Sequence, residues 1–191
     1  MIRKLLGVIF TVSLILTACN QATGIPGKYS SATAQATSTT SPSWLSHVFT
    51  DAATGGKFTI DDFKGKVILV ETLAMWCTNC HAQQEQVMKL HELLGIRNDF
   101  ISIGIDIDTN EKLNDLKAYI ASNGFDWTYS IASPGVAREI GQLYGAEFLN
   151  PPSTPMLIID QQGTVHLLPF GIKSANDLQK SLAPYLQGNG I

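Results

Sequence analysis

A pair of cysteines, Cys77 and Cys80, is the place in this sequence where residue types and spacing indicate chemistry most directly. The pair follows an apolar, β-branched run, Val67–Val70, which is typical of a strand buried on both faces, and a helical pattern begins at the cysteines. Two cysteines at this spacing at a helix start can close a disulfide across the first turn, because their Cα atoms lie within bridging reach. The spacing therefore predicts thiol–disulfide exchange.

The two thiols are expected to differ in role. A helix N-terminus presents unpaired N–H groups and the positive end of the helix dipole, and both stabilise a thiolate on the first cysteine. We therefore predict that Cys77 is the nucleophile. Cys80 lies one turn further in, and we expect it to be more buried and to resolve the mixed disulfide.

An acidic residue, Glu71, interrupts the apolar strand six positions before Cys77. Apolar residues flank it on both faces, and burial disfavours the ionised form of an unpaired carboxylate. Such a group is poised to accept the proton of Cys80 during the resolving step. The alternative interpretation is a solvated charge near the end of the strand.

The order of strand, Trp76, cysteine pair and helix resembles thioredoxin, and the resemblance extends over about residues 44–186. It implies a buried carboxylate at Glu71 and a Thr–cis-Pro pair at Thr154 and Pro155 that faces the disulfide. There, a backbone edge would pair with an extended segment of a partner protein. Trp76 would be exposed beside the thiol and would help to dock the partner.

Strands alternate with helices along the chain, and a β-hairpin and a last helix close it. We therefore expect an α/β fold, a thioredoxin-like three-layer sandwich with a mixed central sheet and an N-terminal β-hairpin. The separation between Cys80 and Pro155 is much longer than that expected in plain thioredoxin. An additional helix–strand segment is therefore expected between them. The N-terminal hairpin resembles that of the redoxin branch, and the insertion resembles that of the membrane-anchored thiol-disulfide oxidoreductases of the TlpA/ResA type. The chain departs from that type at Gln83, where a Glu is common, so the expected pH profile stays open.

The first 18 residues are typical of a secretory signal peptide, because Arg3 and Lys4 precede an apolar run, Leu5–Leu16. The run is shorter than the roughly 20 residues that a membrane-spanning helix needs. Leu16–Cys19 resembles a bacterial lipobox, which implies that Cys19 is the lipid-modified first residue of the mature protein. The alternatives are an uncleaved anchor and an ordinary signal peptide with a chance cysteine.

The chain is therefore expected to have three parts: a signal peptide (1–18), a lipid-anchored tether (19–43) and a thioredoxin-like domain (44–191). The tether is rich in Ala, Ser, Thr and Gln, so it cannot bury enough apolar surface to offset its ordering entropy and is predicted to be disordered. We expect the domain on the extracytoplasmic face of the cell membrane, in the cell envelope or periplasm. Cys77 and Cys80 would then be the cysteines left to form a disulfide.

Composition excludes some classes of function. The chain has 191 residues, 45% of them hydrophobic and 15% charged, which suffices for one well-cored domain with extensions. Its net charge of −3 indicates no basic face, so we expect no nucleic-acid partner. We expect a monomer.

Two alternative functions share these residues. The run Cys77–His81 matches the Cys-x-x-Cys-His pattern of c-type haem attachment, in which His81 would be the axial ligand. Sco-type copper proteins share the fold and bind copper through two cysteines and a distant histidine, for which His166 is a candidate. Their cysteine spacing is wider by one residue, and haem attachment does not need a buried strand before the motif.

The favoured function is extracytoplasmic exchange of disulfides with other proteins, with no cofactor beyond the cysteine pair. By resemblance, the partners are envelope proteins that carry disulfides or dithiols, including apocytochromes c during their maturation. An upstream membrane thiol reductase or oxidant would recycle the pair. The direction of electron flow stays open, because Thr78 and Asn79 match neither the thioredoxin dipeptide nor that of strong oxidants.

Overall fold

The computed structural model describes residues 41–186. The predicted signal peptide, Cys19 and nearly all of the predicted tether lie outside the described residues. Within residues 41–186 there is no helix long and apolar enough to cross a membrane.

Seven strands form two sheets in this part of the chain. A small antiparallel hairpin comes first, and a five-stranded sheet with the order β5-β4-β3-β6-β7 follows. Strands β3, β4 and β5 run parallel, whereas β6 and β7 are antiparallel to their neighbours, so the central sheet is mixed. The strands are β1 (Phe49–Thr50), β2 (Lys57–Phe58), β3 (Val67–Leu73), β4 (Phe100–Asp106), β5 (Thr128–Ile131), β6 (Met156–Ile159) and β7 (Val165–Leu167).

Four α-helices connect or follow these strands, and local sequence signals set their ends. Side-chain oxygens of Ser133 and Ser174 accept N–H groups at the starts of the third and fourth helices, and Gly95 and Gly124 follow the first and second. The helices are α1 (Thr78–Leu94), α2 (Leu113–Asn123), α3 (Pro134–Tyr144) and α4 (Ala175–Leu182).

Strand β3 lies at the centre of three layers, and all of its residues are buried. Alternate side chains of a strand point to opposite faces, so β3 contributes to two separate cores. Val67, Leu69 and Leu73 pack with residues of α1, α2 and α4. Ile68 and Val70 pack with α3 and the N-terminal hairpin. The predicted three-layer sandwich is confirmed, together with the hairpin and the helix–strand segment (α2 and β5) inserted between β4 and β6.

Candidate active site

The two cysteines lie where β3 ends and α1 begins, and they are joined in a disulfide with a Cα–Cα distance of 5.2 Å. Cys77 precedes the first helical residue, and Cys80 lies in the first turn. Cys77 is 3% exposed and Cys80 is 0% exposed. The predicted disulfide is confirmed, and so is the greater burial of the second cysteine.

The N-terminus of α1 determines the electrostatic environment of Cys77. Its sulfur accepts the backbone N–H of Cys80 at 3.1 Å. Once the disulfide is reduced, this N–H group and the positive end of the helix dipole favour a negative charge on the same sulfur. The geometry therefore stabilises a thiolate at Cys77.

A loop of residues 151–155 covers the disulfide from the other side. The carbonyl oxygen of Pro151 lies 3.2 Å from Cys80 Sγ, and Asn79 Nδ2 donates to the carbonyl of Pro152 at 2.9 Å. A reduced Cys80 can donate its S–H to the Pro151 oxygen, which favours the thiol form of that residue. The two sulfurs therefore have opposite environments, one suited to a thiolate and one to a thiol.

The prediction of a cis peptide bond before Pro155 is wrong, because every peptide bond in the described part of the chain is trans. The residue before Pro155, Thr154, has a φ of 43° and a ψ of 59°, which lie in the left-handed region. Its N–H donates to the carbonyl of Pro151 at 2.8 Å, and its own carbonyl accepts from Lys173. Thr154 and Pro155 are both buried, whereas Pro152 is exposed.

Glu71 is buried, at 3% exposure, so its interpretation as a solvated charge is wrong. Its Oε1 atom has no hydrogen-bond partner among residues 41–186. Burial raises the pKa of Glu71 well above its ordinary value, and the positive charge of Lys173 partly opposes this shift. The carboxyl group therefore keeps its proton to a higher pH than an exposed glutamate does.

Lys173 is a residue of this site that the sequence did not reveal. Its ammonium group donates to the carbonyl oxygens of Thr154, Pro169 and Gly171, and its backbone N–H and C=O both bond the side chain of Gln83 on α1. Burial lowers the pKa of Lys173 to about 8, although the charge of Glu71 acts in the opposite direction. A single lysine in a loop carries no pattern that could predict this role.

Acidic residues after β4 support the loop before Cys77. Glu111 Oε2 accepts the backbone N–H of Met75 at 3.0 Å, and Asp108 Oδ2 accepts the indole N–H of Trp76 at 3.0 Å. Trp76 is 60% exposed, as expected. Parallel strands end at a common edge of the sheet, so the position of Asp106 at the end of β4 was the signal that could have revealed this group.

The site favours disulfide exchange over the two alternatives. His81 Nε2, the atom that would bind haem iron, lies 3.0 Å from Asn123 Oδ1, and the two cysteines are bonded to each other. His166 lies 2.8 Å from Asp160 on the terminal hairpin. Between residues 41 and 186, no three or more His, Cys, Asp or Glu side chains are grouped so that they could hold a metal ion.

A mixed sheet between helical layers, with a disulfide at the helix start after its central strand, defines a thioredoxin-fold thiol-disulfide oxidoreductase. The model of the Redoxin family matches residues 31–170, and the chain belongs to this family.

Solved structures show the same fold at low sequence identity. A thiol:disulfide interchange protein of Chlorobium tepidum is 19% identical, with a TM-score of 0.58 over 73% of this chain and 92% of that protein. A secreted disulfide oxidoreductase of Mycobacterium tuberculosis, described as homologous to DsbE of E. coli, is 16% identical, with a TM-score of 0.57 over 74% and 98%. A DsbF homologue of Corynebacterium diphtheriae is 17% identical, with a TM-score of 0.60 over 72% and 83%. No curated protein matches the sequence.

Proposed function

We propose that this protein is an extracytoplasmic, lipid-anchored thiol-disulfide oxidoreductase of the TlpA/ResA type, which exchanges disulfides with envelope proteins. The observation that carries the proposal is the disulfide at the N-terminus of α1, with the N–H of Cys80 directed at Cys77 Sγ. This arrangement supports Cys77 as the nucleophile and Cys80 as the resolving thiol.

In the proposed reaction, the Cys77 thiolate attacks a disulfide of the partner. An S–S bond forms between Cys77 and the partner, the partner's own S–S bond breaks, and one partner sulfur leaves as a thiolate. Cys80 then loses its proton and attacks Cys77 Sγ, which closes the intramolecular disulfide and releases the second partner sulfur. Two electrons pass to the partner, and the same steps in reverse oxidise a partner dithiol.

Glu71 is proposed to accept the proton of Cys80 in the resolving step. Its burial and the unpartnered Oε1 atom support this role, because an ionised carboxyl group with a raised pKa accepts a proton more readily than an exposed carboxylate does. Lys173 moderates the pKa shift, since its ammonium group favours the anion.

A partner segment is proposed to dock between Trp76 and the loop that contains Thr154 and Pro155. Trp76 supplies an exposed aromatic surface beside Cys77. Thr154 and Pro155 are buried, and the N–H and C=O of Thr154 are bonded within the protein. We therefore propose that Thr154 and Pro155 fix the conformation of the loop from its buried side, while the exposed Pro152 contacts the partner.

The proposed location follows from the N-terminal sequence. A signal peptide over residues 1–18 and lipid modification of Cys19 would place the domain on a disordered tether outside the cytoplasm. The similar Mycobacterium tuberculosis protein is described as secreted, which supports this location. At this location, the partners of the present protein are proposed to be envelope proteins, including apocytochromes c. A membrane thiol reductase or oxidant is proposed to recycle the cysteine pair. The domain is proposed to act as a monomer and without a further cofactor.

Mass spectrometry of the protein extracted from membranes tests the anchor. We expect an N-terminus at a lipid-modified Cys19, and an unmodified Met1 would contradict it.

Insulin reduction tests the proposed chemistry. The wild-type protein is expected to accelerate reduction of insulin by dithiothreitol, whereas Cys77→Ser abolishes this activity. Cys80→Ser is expected to accumulate a mixed disulfide with the substrate, because the resolving thiol is missing. Cys19→Ser is the control and should keep full activity in solution. The proposal is wrong if the wild-type protein neither reduces insulin nor oxidises a dithiol peptide.

A further inference from the structure

A second buried carboxyl group lies beside the loop that leads into the cysteine pair. Asp106, the last residue of β4, is 0% exposed and is in register with Leu73, the last residue of β3. Its Oδ1 atom accepts the backbone N–H of Asp108 at 2.9 Å. Its Oδ2 atom is buried, and no group among residues 41–186 donates a hydrogen bond to it.

The neighbour of this carboxyl group is another carboxyl group. The carboxyl group of Glu111 interacts with that of Asp106, and Glu111 Oε2 also accepts the N–H of Met75 at 3.0 Å. Two ionised carboxylates are both acceptors only, and they repel each other. The contact between them is favourable only when one of the two carries a proton.

We infer that Asp106 is a positioning residue of the active site: its protonated carboxyl group donates to Glu111, and this contact fixes the Met75 amide in the loop that enters Cys77. Met75 lies two residues before Cys77, so a shift of its backbone displaces the reactive sulfur from the helix N-terminus. Asp106 and Glu111 take no part in the proposed electron and proton transfer steps.

A second contact of the same loop depends on Asp106. The Asp108 backbone is held by Asp106 Oδ1, and the Asp108 side chain accepts the indole N–H of Trp76. One buried carboxyl group thereby supports both residues that precede Cys77.

The charges around Asp106 favour its protonated form. Burial and the Glu111 carboxylate raise the pKa of Asp106 to about 9, and the charge of Asp108 contributes in the same direction. Tyr119 on α2 interacts electrostatically with Asp106. From the adjacent strands, the residues in register with it are the apolar Leu73 and Ile131. The proton is therefore present at neutral pH and is lost as the pH rises through about 9.

Nuclear magnetic resonance of the oxidised full chain tests this role. Cys77 and Cys80 are joined in a disulfide in the oxidised protein, so neither has a thiol that could titrate. Across about pH 6 to pH 10, the Met75 amide signal of the wild-type protein is expected to shift with the ionisation of Asp106. Asp106→Asn should remove this titration and keep the amide protected from hydrogen exchange, because its side-chain NH₂ donates to Glu111 permanently. Asp106→Leu should speed exchange of the Met75 amide about a hundredfold.

Insulin reduction at neutral pH provides the second readout. Asp106→Leu is expected to be slower by about tenfold, whereas Asp106→Asn stays within about twofold of wild type. Asp115→Asn, on the exposed first turn of α2, is the matched control and should change neither readout. The inference is overturned if Asp106→Asn keeps the wild-type titration of Met75, or if folded Asp106→Leu keeps wild-type exchange and rate. The resonance readout does not depend on activity, so failure of the proposed reaction is a separate outcome.

Discussion

Glu71 and Lys173 are both buried, and each influences the pKa of the other. Burial raises the pKa of the carboxyl group and lowers the pKa of the ammonium group, while each charge partly offsets the shift of the other. Lys173 is held by carbonyl groups and not by Glu71 itself. Within residues 41–186, the Oε1 atom of Glu71 therefore has no hydrogen-bond partner, which suits the proposed proton acceptor.

Glu71→Gln is expected to slow release of the mixed disulfide and to leave its formation nearly unchanged. An amide cannot accept the proton of Cys80, but the environment of Cys77 stays the same. Stopped-flow measurement of the two phases with a labelled disulfide peptide would separate them. Equal rates of release in mutant and wild type would contradict the role of Glu71.

The same substitution is expected to change the pH dependence of stability. Since the pKa of Glu71 is raised in the fold, its contribution to stability is present below the ordinary value of 4.5 and is lost as the pH rises through the folded value. At about pH 8, oxidised Glu71→Gln should exceed the wild type in free energy of unfolding by on the order of 1–3 kcal/mol. Urea unfolding measures the difference, which should shrink towards about pH 4. A constant difference across this range would contradict the prediction.

At the scale of elements, residues of three neighbouring strands pack side by side at the position of Glu71. Glu71 on β3 is in register with Gly104 on β4, which is in register with Tyr129 on β5. A Cβ atom at position 104 would lie 2.4 Å from the Tyr129 ring, so this ring occupies the space that the glycine leaves. The Tyr129 hydroxyl donates to Gln84 on α1 at 3.0 Å, which connects the sheet to the helix that carries the cysteines.

Gly104→Ala is expected to displace the Tyr129 ring and to break its hydrogen bond with Gln84. Overpacking of this kind costs about 1–3 kcal/mol. Urea unfolding would give the change in stability, and near-ultraviolet circular dichroism would report the tyrosine.

The matched control is Gly135→Ala on α3, where the added Cβ meets only the Ser133 hydroxyl at 3.8 Å. It should be neutral or slightly stabilising, because alanine favours a helix more than glycine does. Equal effects of the two substitutions would contradict the close packing at Gly104.

At the scale of the molecule, the segment before α4 returns to the site and joins parts that are distant in the chain. Lys173 connects Gln83 on α1 with Thr154 before β6. Phe170 and Ile172, in the same segment, are exposed. The Phe170 ring packs against that of Phe148, with 5.8 Å between the ring centroids. The shape of the loop beside the disulfide therefore depends on residues almost a hundred positions after Cys77.

Lys173→Met is expected to destabilise the oxidised protein by about 1–3 kcal/mol, since it leaves buried carbonyl groups without a donor. It should also raise the pKa of Glu71 further, because the opposing positive charge is lost. Urea unfolding and the pH profile of mixed-disulfide release measure these two effects. Lys180→Met, an exposed position on α4, is the control and should leave both unchanged. A wild-type pH profile in Lys173→Met would show that this charge does not act on Glu71.

The sequence alone determined strand β3, the disulfide of Cys77 with Cys80 and helix α1. It also determined the three-layer fold and the burial of Glu71. These features depend on the period of apolar residues and on short spacings, which act within one or two elements. Only the tertiary structure decided the trans bond before Pro155, the contact of Pro151 with Cys80 and the positions of Lys173 and Asp106. Each of these depends on hydrogen bonds or burial between segments far apart in the chain, and no local pattern encodes which buried polar groups will meet.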